Sequence, residues 1–253
     1  MSNYKSVRFQ KTRLSVLAVS TALFPVSFYY LSPVVSLHGS FIGIVTGSLI
    51  VFLFLFVLSM ALGRSFCSWL CPAGGLQDQV AKARTARLPV ARIGWLKYVV
   101  WGFWLAGILF FFREAGGVKG VQFAFDTVGG LPTSSVPALI AYTVVVLVFL
   151  SLSLVFGRRA GCHSLCWIAP FVVIGRIIGL RAGLPSLHLR AKPGSCTHCS
   201  RCTNACPMSL DVESLVLSGR IVDNDCILCG SCVDTCAKGT IGWAWRRERG
   251  KAS

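Results

Sequence analysis

Apolar residues form long uninterrupted runs in the first two thirds of the chain and only short runs afterwards. A helix needs about 20 such residues to cross the hydrocarbon core of a bilayer. Four runs reach or approach this length, at residues 14–31, 41–62, 96–112 and 136–157. They predict an all-α membrane domain with four transmembrane helices.

A fifth apolar stretch, residues 165–180, is interrupted by Pro170 and Arg176. Its uninterrupted apolar part is too short to cross the bilayer, and a crossing here would place the basic carboxy-terminal segment outside. The stretch is therefore predicted to form an interfacial or re-entrant helix.

The charge distribution predicts an orientation. The net charge is +16, and the basic residues alternate along the chain: four before the first run, none in 32–40, five in 63–95, two in 113–135 and thirteen after Gly157. Because Lys and Arg concentrate in cytoplasmic segments, both termini and the loop 63–95 are predicted to be cytoplasmic. This pattern also accounts for the positive charge without nucleic-acid binding.

Two helices followed by a CxxxC motif occur twice, which indicates an internal duplication. The motifs are Gly63-Arg64 followed by Cys67 and Cys71, and Gly157-Arg158 followed by Cys162 and Cys166. The spacing places both sulfurs of a pair on one helix face, as metal ligation or dithiol chemistry requires. We expect a third redox centre shared by the four cysteines; redox-active thiol pairs and buried small side chains are the alternatives.

Composition changes near Arg190, where polar loops and eight cysteines replace the apolar runs. We therefore divide the chain into a transmembrane domain, 1–189, and a small cytoplasmic α+β ferredoxin-like domain, 190–253. A domain of this size has a marginal hydrophobic core, so metal centres are expected to stabilise it.

The eight cysteines form two runs with the C-x2-C-x2-C-x3-C spacing of bacterial ferredoxins, which predicts two [4Fe–4S] clusters. In such runs the fourth cysteine binds the other cluster. The ligands are then Cys196, Cys199, Cys202 and Cys236 for the first cluster, and Cys206, Cys226, Cys229 and Cys232 for the second. Zinc is improbable because zinc sites use two separated CxxC pairs.

Three ionisable side chains near the cysteines are expected to have no part in the chemistry. Arg64 is expected to snorkel, Asp78 to be solvated, and His163 to be hydrogen-bonded or at the surface, with ligation or proton transfer as the alternative. Four tryptophans are expected in interfacial belts, with a quinone cleft as the alternative; they are Trp69, Trp95, Trp101 and Trp104. The sequence has no Walker A motif, no GxGxxG motif and no CxxCH motif, so it gives no support for nucleotide hydrolysis, a Rossmann domain or c-type haem.

The four spans, the CxxxCP and CxxxC motifs and the eight-cysteine domain together resemble the NapH-type membrane polyferredoxins. These are quinol dehydrogenase components of periplasmic nitrate reductase systems, with relatives in nitrous oxide reductase maturation and methylamine utilisation. The sequence departs from the family pattern at Trp167, which stands where the second motif would have proline. It departs from the bacterial ferredoxin run at Ala237, which replaces the usual proline after Cys236.

The resemblance implies an electron-transfer component in the bacterial cytoplasmic membrane. It would oxidise menaquinol or ubiquinol and deliver electrons through [4Fe–4S] clusters to iron–sulfur or cytochrome partners of a respiratory reductase. Two other functions remain open on the residues: a redox or metal-handling maturation factor, and a thiol-based redox sensor.

Overall fold

The computed structural model describes residues 2–81, 86–88, 94–125, 127 and 136–247. Lys82, Arg84 and Arg92, three of the basic residues counted in the loop 63–95, lie outside these ranges, as does Arg249. The amino-terminal part contains the helices α1 (Ser2–Ala22), α2 (Phe24–Tyr30), α3 (Pro33–Ile42), α4 (Gly47–Leu62), α5 (Ser65–Trp69), α6 (Pro72–Val80), α7 (Leu96–Glu114), α8 (Val136–Phe156), α9 (Ala160–Ser164) and α10 (Ile168–Arg181).

The first two apolar runs are not single helices, contrary to the sequence-based prediction. The run 14–31 is divided between α1 and α2 at Leu23, because Pro25 has no N–H to continue the backbone hydrogen-bond ladder. The run 41–62 is broken after Ile42 by Gly43, whose φ of 84° ends α3. A short strand, β1 (Ile44–Thr46), follows and pairs in parallel with β2 (Gly120–Gln122) before α4 begins.

Two helices among the described residues are long and apolar enough to cross a membrane by length and composition: α7, and residues 139–156 of α8. The predicted runs 96–112 and 136–157 coincide with these helices. Most of the surface of both helices is exposed, and their exposed side chains are large and apolar, including Phe103, Leu109, Leu147 and Val155.

The stretch 165–180 forms α10, which packs lengthwise against α4. Gly175 and Gly179 make this contact close: a Cβ on Gly175 would lie 2.1 Å from Ser59 Oγ, and one on Gly179 would lie 2.4 Å from the Met60 carbonyl oxygen. Such small-xxx-small spacing lets two helix backbones approach within a membrane domain. The two helices run in the same direction, since Phe171 stacks on Phe52 while Gly179 meets Met60.

The helix that follows each CxxxC motif packs against the long helix of the other half. Helix α10 follows the second motif and packs on α4, which precedes the first; α6 follows the first motif and packs on α8. In the second contact, Gln77 accepts hydrogen bonds from Ser153 Oγ and from the Gly161 backbone N–H, both at 3.0 Å. The two motifs are therefore held face to face.

The carboxy-terminal part is α+β. It contains β3 (Pro185–Ala191), α11 (Arg201–Asn204), α12 (Val212–Leu217), β4 (Arg220–Ile221), α13 (Ser231–Thr235) and β5 (Ile241–Arg247). The strands form one antiparallel sheet in the order β4-β3-β5, with Leu189 paired to Trp243 and to Ile221. Because β3 starts at Pro185, the sheet crosses the domain boundary that the change in composition predicts at 189/190.

Arginines of the helical part donate hydrogen bonds to backbone carbonyls of the ferredoxin-like part. Arg87 donates to the carbonyls of Ser209 and Leu210 at 3.2 and 3.1 Å, and Arg158 donates to the Asn204 carbonyl at 2.6 Å. Arg176 donates to the Asp223 carbonyl at 2.9 Å. One buried apolar core continues across the contact and includes both Cys67 and Leu228, the latter with no exposed surface.

Candidate functional site

The first cavity lies in the ferredoxin-like part and has a volume of about 240 Å³. The four cysteines predicted to bind the first cluster all line it: Cys196, Cys199, Cys202 and Cys236. His198 and Ser200 both have a backbone φ near 50°, in the left-handed region. These two residues turn the chain sharply between the cysteines of this loop. Of the twelve cysteines, all within the described ranges, Cys199 alone is exposed.

The second cavity is smaller, with a volume of about 20 Å³, and almost wholly apolar. It is lined by the four cysteines predicted to bind the second cluster: Cys206, Cys226, Cys229 and Cys232. Burial and the neighbouring thiols of Cys229 and Cys226 raise the pKa of Cys206 to about 12. Cys206 thus lies with the second run of cysteines, as crossed ligation requires.

The two CxxxC motifs meet at the third cavity, between the two halves of the helical part. Cys71, Cys162 and Cys166 line it together with apolar residues such as Phe149 and Trp167. Burial raises the pKa of Cys71 well above its usual value, and the neighbouring thiols of Cys67, Cys162 and Cys166 raise it further. The helix pairing across the two halves is what brings these four cysteines together.

Each of the two ferredoxin-type sets places its four cysteines around one cavity. Within the described ranges, no three His, Cys, Asp or Glu side chains lie close enough to hold one metal ion. A single zinc ion binds thiolates at about 2.3 Å and needs its ligands tightly drawn together. A [4Fe–4S] cube is larger and takes one thiolate at each corner, so four cysteines around a cavity can hold it.

Each of the two repeats has a buried arginine near the CxxxC cysteines. Arg159, with no exposed surface, donates from Nη1 to the Cys67 carbonyl at 3.0 Å. It also donates to Asp78 through Nε and Nη2, at 2.6 and 2.7 Å. Arg13 donates to the same carboxylate at 3.2 Å. Burial opposes the charge of Asp78, but Arg159 and Arg13 outweigh it and hold the pKa of Asp78 below its usual value.

Arg64 is the corresponding residue of the first repeat and is also buried. Its Nη1 donates to Asp225 Oδ1 at 2.8 Å and to the Asn224 carbonyl at 2.9 Å, and Lys97 binds the same carboxylate oxygen. Burial opposes the charge of Asp225, but Arg64 and Lys97 outweigh it and lower the pKa of Asp225 to about 2. Asp225 immediately precedes Cys226, so this ion pair joins the first CxxxC motif to the second cluster loop.

These positions correct three expectations. Arg64 is 1% exposed rather than snorkelling, and the Asp78 side chain is 10% exposed rather than solvated, because each is enclosed with a partner of opposite charge. His163 is buried, with Nδ1 3.9 Å from Asp225 Oδ2, and burial lowers its pKa to about 4. It is therefore not a surface residue.

Arg159 is a functional residue that the shared Gly-Arg pair does not indicate. That pair aligns Arg64 with Arg158, whereas counting back from the cysteines aligns Arg64 with Arg159. The signal is R-x-x-C-x-x-x-C, which occurs at Arg64 and again at Arg159. Arg158 instead reaches outward to the ferredoxin-like part.

The tryptophans do not form a common cleft. Trp101 and Trp104 both pack edge-on against Phe171, within the core between α4, α7 and α10. Trp69 packs against Phe9 at a ring distance of 5.0 Å, and Trp95 is exposed. The structure therefore does not support a quinone cleft lined by these four residues.

Comparison with known proteins agrees with the cysteine chemistry. A family model described as "4Fe-4S binding domain" matches residues 44–95, which include Cys67 and Cys71. A second, described as "4Fe-4S dicluster domain", matches residues 195–241, which include all eight ferredoxin-type cysteines. No solved structure matches the chain significantly.

Curated relatives resemble most of the chain. The putative electron transport protein YccM of Escherichia coli is 26% identical over 200 residues, 71% of this chain and 50% of that protein. The ferredoxin-type protein NapH of Haemophilus influenzae is 28% identical over 218 residues, 79% of this chain and 68% of that protein. The uncharacterized protein MJ0750 of Methanocaldococcus jannaschii is 27% identical over 202 residues, 75% of each chain.

The chain spans about half the length of YccM and about two thirds of NapH. These similarities confirm the resemblance that the cysteine spacing indicates, and they agree with the candidate membrane helices. The chain is similar to NapH-type ferredoxin proteins and to YccM-like electron transport proteins, and it carries two 4Fe-4S ferredoxin-type domains.

Proposed function

We propose that the protein takes electrons from a membrane quinol and passes them to a partner protein of a respiratory reductase system. One observation carries this proposal: the chain has three cysteine-lined cavities, one in the helical part and two in the ferredoxin-like part, and one of the latter includes an exposed cysteine. When bound there, iron–sulfur clusters supply one-electron transfer, whereas a quinol releases two electrons and two protons. Several adjacent one-electron centres suit such a donor.

The predicted ligand sets stand as part of the proposal. Cys196, Cys199, Cys202 and Cys236 would hold the outer cluster, and Cys206, Cys226, Cys229 and Cys232 the middle one. The four CxxxC cysteines, Cys67, Cys71, Cys162 and Cys166, would hold a third centre beside the helices. The match of residues 44–95 to a 4Fe-4S binding domain supports an iron–sulfur centre there. The cysteine-lined cavity between the two halves gives it independent support.

Electrostatic coupling and a shared buried core support an electron path through the chain. Arg159 interacts electrostatically with both Cys162 of the third centre and Cys229 of the middle cluster. Cys67 belongs to the same buried core as Cys206, Cys226 and Cys229. The exposed Cys199 makes the outer cluster the natural exit to a soluble iron–sulfur or cytochrome partner.

We also propose that the protein lies in the bacterial cytoplasmic membrane with four crossings, both termini and the ferredoxin-like domain being cytoplasmic. The exposed apolar surfaces of α7 and α8 support two crossings. The remaining two would use α1 with α2, and α3 with β1 and α4, as interrupted crossings. Irregular backbone is tolerated at such depth where the surrounding protein encloses it. Ser36, Ser40 and Ser48, on α3 and α4, are fully buried.

The test is anaerobic reduction of the mildly oxidised purified protein by a menaquinol analogue, followed by loss of the broad iron–sulfur absorption. Bleaching by the quinol is expected, with dithionite defining complete reduction. If dithionite bleaches the protein and no menaquinol or ubiquinol analogue does, with or without a membrane fraction, quinol is not the donor.

The third centre has its own test, by iron content and electron paramagnetic resonance (EPR). Cys162→Ser is expected to lose the iron and the EPR signal of one cluster, while the two ferredoxin-type signals remain. Ser164→Ala, on the same short helix, is the matched control and should keep all the iron. Equal iron in both variants would contradict a third iron–sulfur centre and favour thiol pairs.

A further inference from the structure

A groove of about 360 Å³ runs between α1 and α6, apart from the three cysteine-lined cavities. Leu14, Leu17 and Ala18 form one side, and Gly75, Asp78 and Gln79 form the other. Both sets follow the i, i+3, i+4 spacing of a single helix face. The groove therefore lies where two helices face each other, and its volume falls in the range of small-molecule sites.

The groove has an apolar side and a polar side. Leu14 and Ala18 are exposed on the helix that begins the first apolar run, so the groove opens toward the region where lipid tails are expected. Asp78 and Gln79 provide a carboxylate, which only accepts hydrogen bonds, and an amide, which donates and accepts. An amphiphile with an apolar ring and tail and a hydrogen-bond-donating headgroup matches this distribution.

The polar side of the groove is joined directly to the third cavity. Arg159 donates to both oxygens of Asp78 and, through Nη1, to the Cys67 carbonyl at 3.0 Å. Arg13 completes the carboxylate's surroundings from α1 and also donates to the Ser68 carbonyl at 3.2 Å. A headgroup hydrogen-bonded to Asp78 would thus be separated from the first CxxxC motif only by the guanidinium of Arg159.

The two arginines account for three hydrogen bonds to the carboxylate, which has about four acceptor positions. Within the described ranges these three bonds leave one acceptor position of the carboxylate, which suits a ligand hydroxyl. The arginines also fix the carboxylate in place, so that it need not reorganise to accept the bond. A quinol hydroxyl is a donor of suitable size and charge for this position.

We propose that the groove between α1 and α6 binds the quinol, with its ring between Leu14, Leu17 and Ala18 and one hydroxyl donating to Asp78. The inference rests on the quinol donor of the proposed function and assigns it a site. On oxidation, the two electrons pass singly to the iron–sulfur centres. The two protons leave to water at the open, Gln79 side of the groove.

The test uses Ala18→Trp, which fills the groove from an exposed position and leaves the buried ion pairs intact. Val19→Trp is the matched control, since Val19 is 61% exposed on the same helix and does not line the groove. The rate of bleaching by a menaquinol analogue is expected to fall at least tenfold in Ala18→Trp and to change less than twofold in Val19→Trp. Dithionite bleaching and iron content should be the same in both.

A second measurement detects binding without electron transfer. A photoreactive azidoquinone is expected to label the peptide containing Leu14–Ala18 in the wild-type protein and not in Ala18→Trp. Asp78→Asn, which keeps the size of the side chain, should weaken labelling, provided that its iron content is normal. Labelling confined to helices other than α1 and α6, or equal bleaching rates in the two tryptophan variants, would overturn the site.

The site and the proposed function fail in different ways. If quinol reduces the wild-type protein and Ala18→Trp equally well, quinol oxidation stands and the groove is not its site. If azidoquinone labels the groove but no quinol reduces the clusters, the site stands and electron input from quinol is wrong.

Discussion

Arg64 and Asp225 form an ion pair, with Nη1 2.8 Å from Oδ1, although 161 positions separate them in the chain. Arg64 precedes the first CxxxC motif and Asp225 precedes the second run of ferredoxin-type cysteines. Lys97, at the start of α7, binds the same oxygen. One carboxylate therefore joins three distant parts of the chain at the contact between the helical and the ferredoxin-like parts.

Asp225→Asn is expected to destabilise the protein strongly. It would leave Arg64 and Lys97, both about 1% exposed, without a compensating charge. Breaking a buried ion pair costs about 3–5 kcal/mol, so the urea midpoint should fall markedly in detergent solution. Glu114→Gln removes an exposed carboxylate and should stay within about 0.5 kcal/mol of the wild type. Equal midpoints for the two variants would show that the pair does not stabilise the contact.

Arg64→Gln is expected to lower the reduction potential of the third centre. The guanidinium interacts electrostatically with Cys67 and Cys166, and a nearby positive charge favours the reduced, more negative cluster. Removing one charge at close range should shift the potential by on the order of 50–100 mV. An EPR-monitored redox titration measures it, with the exposed Arg113→Gln as control. A rise, or no change relative to Arg113→Gln, would refute the electrostatic role.

Reporter insertions test the proposed topology. Alkaline phosphatase inserted after Val118, which is 63% exposed between α7 and β2, is expected to be active because this loop would lie outside the cytoplasm. The same reporter fused to the carboxy terminus should be inactive there, while a green fluorescent protein fusion should fluoresce. Activity at both positions, or at neither, would exclude the four-span arrangement.

Lys238→Glu is expected to slow electron exit to an anionic acceptor. Lys238 and Arg201 line the outer cluster cavity beside the exposed Cys199. Stopped-flow oxidation of the reduced protein by ferricyanide should slow several-fold at low salt, and the difference should shrink at high salt because ions screen exposed charges. Lys119→Glu, in the loop before β2, is the control. Equal slowing in both variants would mean that the electron does not leave through the outer cluster.

Sequence predicts the cysteine chemistry well because ligand spacing is a local property. The two ferredoxin-type runs could be assigned to two sets from spacing alone, and the same sets line two cavities. The duplication likewise indicated that the CxxxC pairs belong together, and they meet at one cavity. In each case the cysteines lie on short segments whose geometry the spacing restricts.

The sequence predicts poorly which charged side chains are buried, because the ion-pair partner of each lies far away in the chain. Nothing near Arg64 indicates that Asp225 will enclose it, and nothing near Asp78 indicates Arg159, 81 positions later. Hydropathy also predicts one helix for residues 41–62, since a single glycine does not interrupt an apolar run, although the left-handed backbone of Gly43 ends α3. This break between α3 and α4 depends on the φ angle of one residue, which the composition of the run does not indicate.

The crossed packing of α6 on α8 and of α10 on α4 has a consequence for biosynthesis. Neither half can close the third cavity alone, because each supplies the helix that supports the other's motif. Ribosomes must release residues through Arg181 before the cavity can form, and the ferredoxin-like part, which packs against Cys67, is made later still. Iron delivery to this centre should therefore follow translation, and a chain truncated before α10 should carry no metal there.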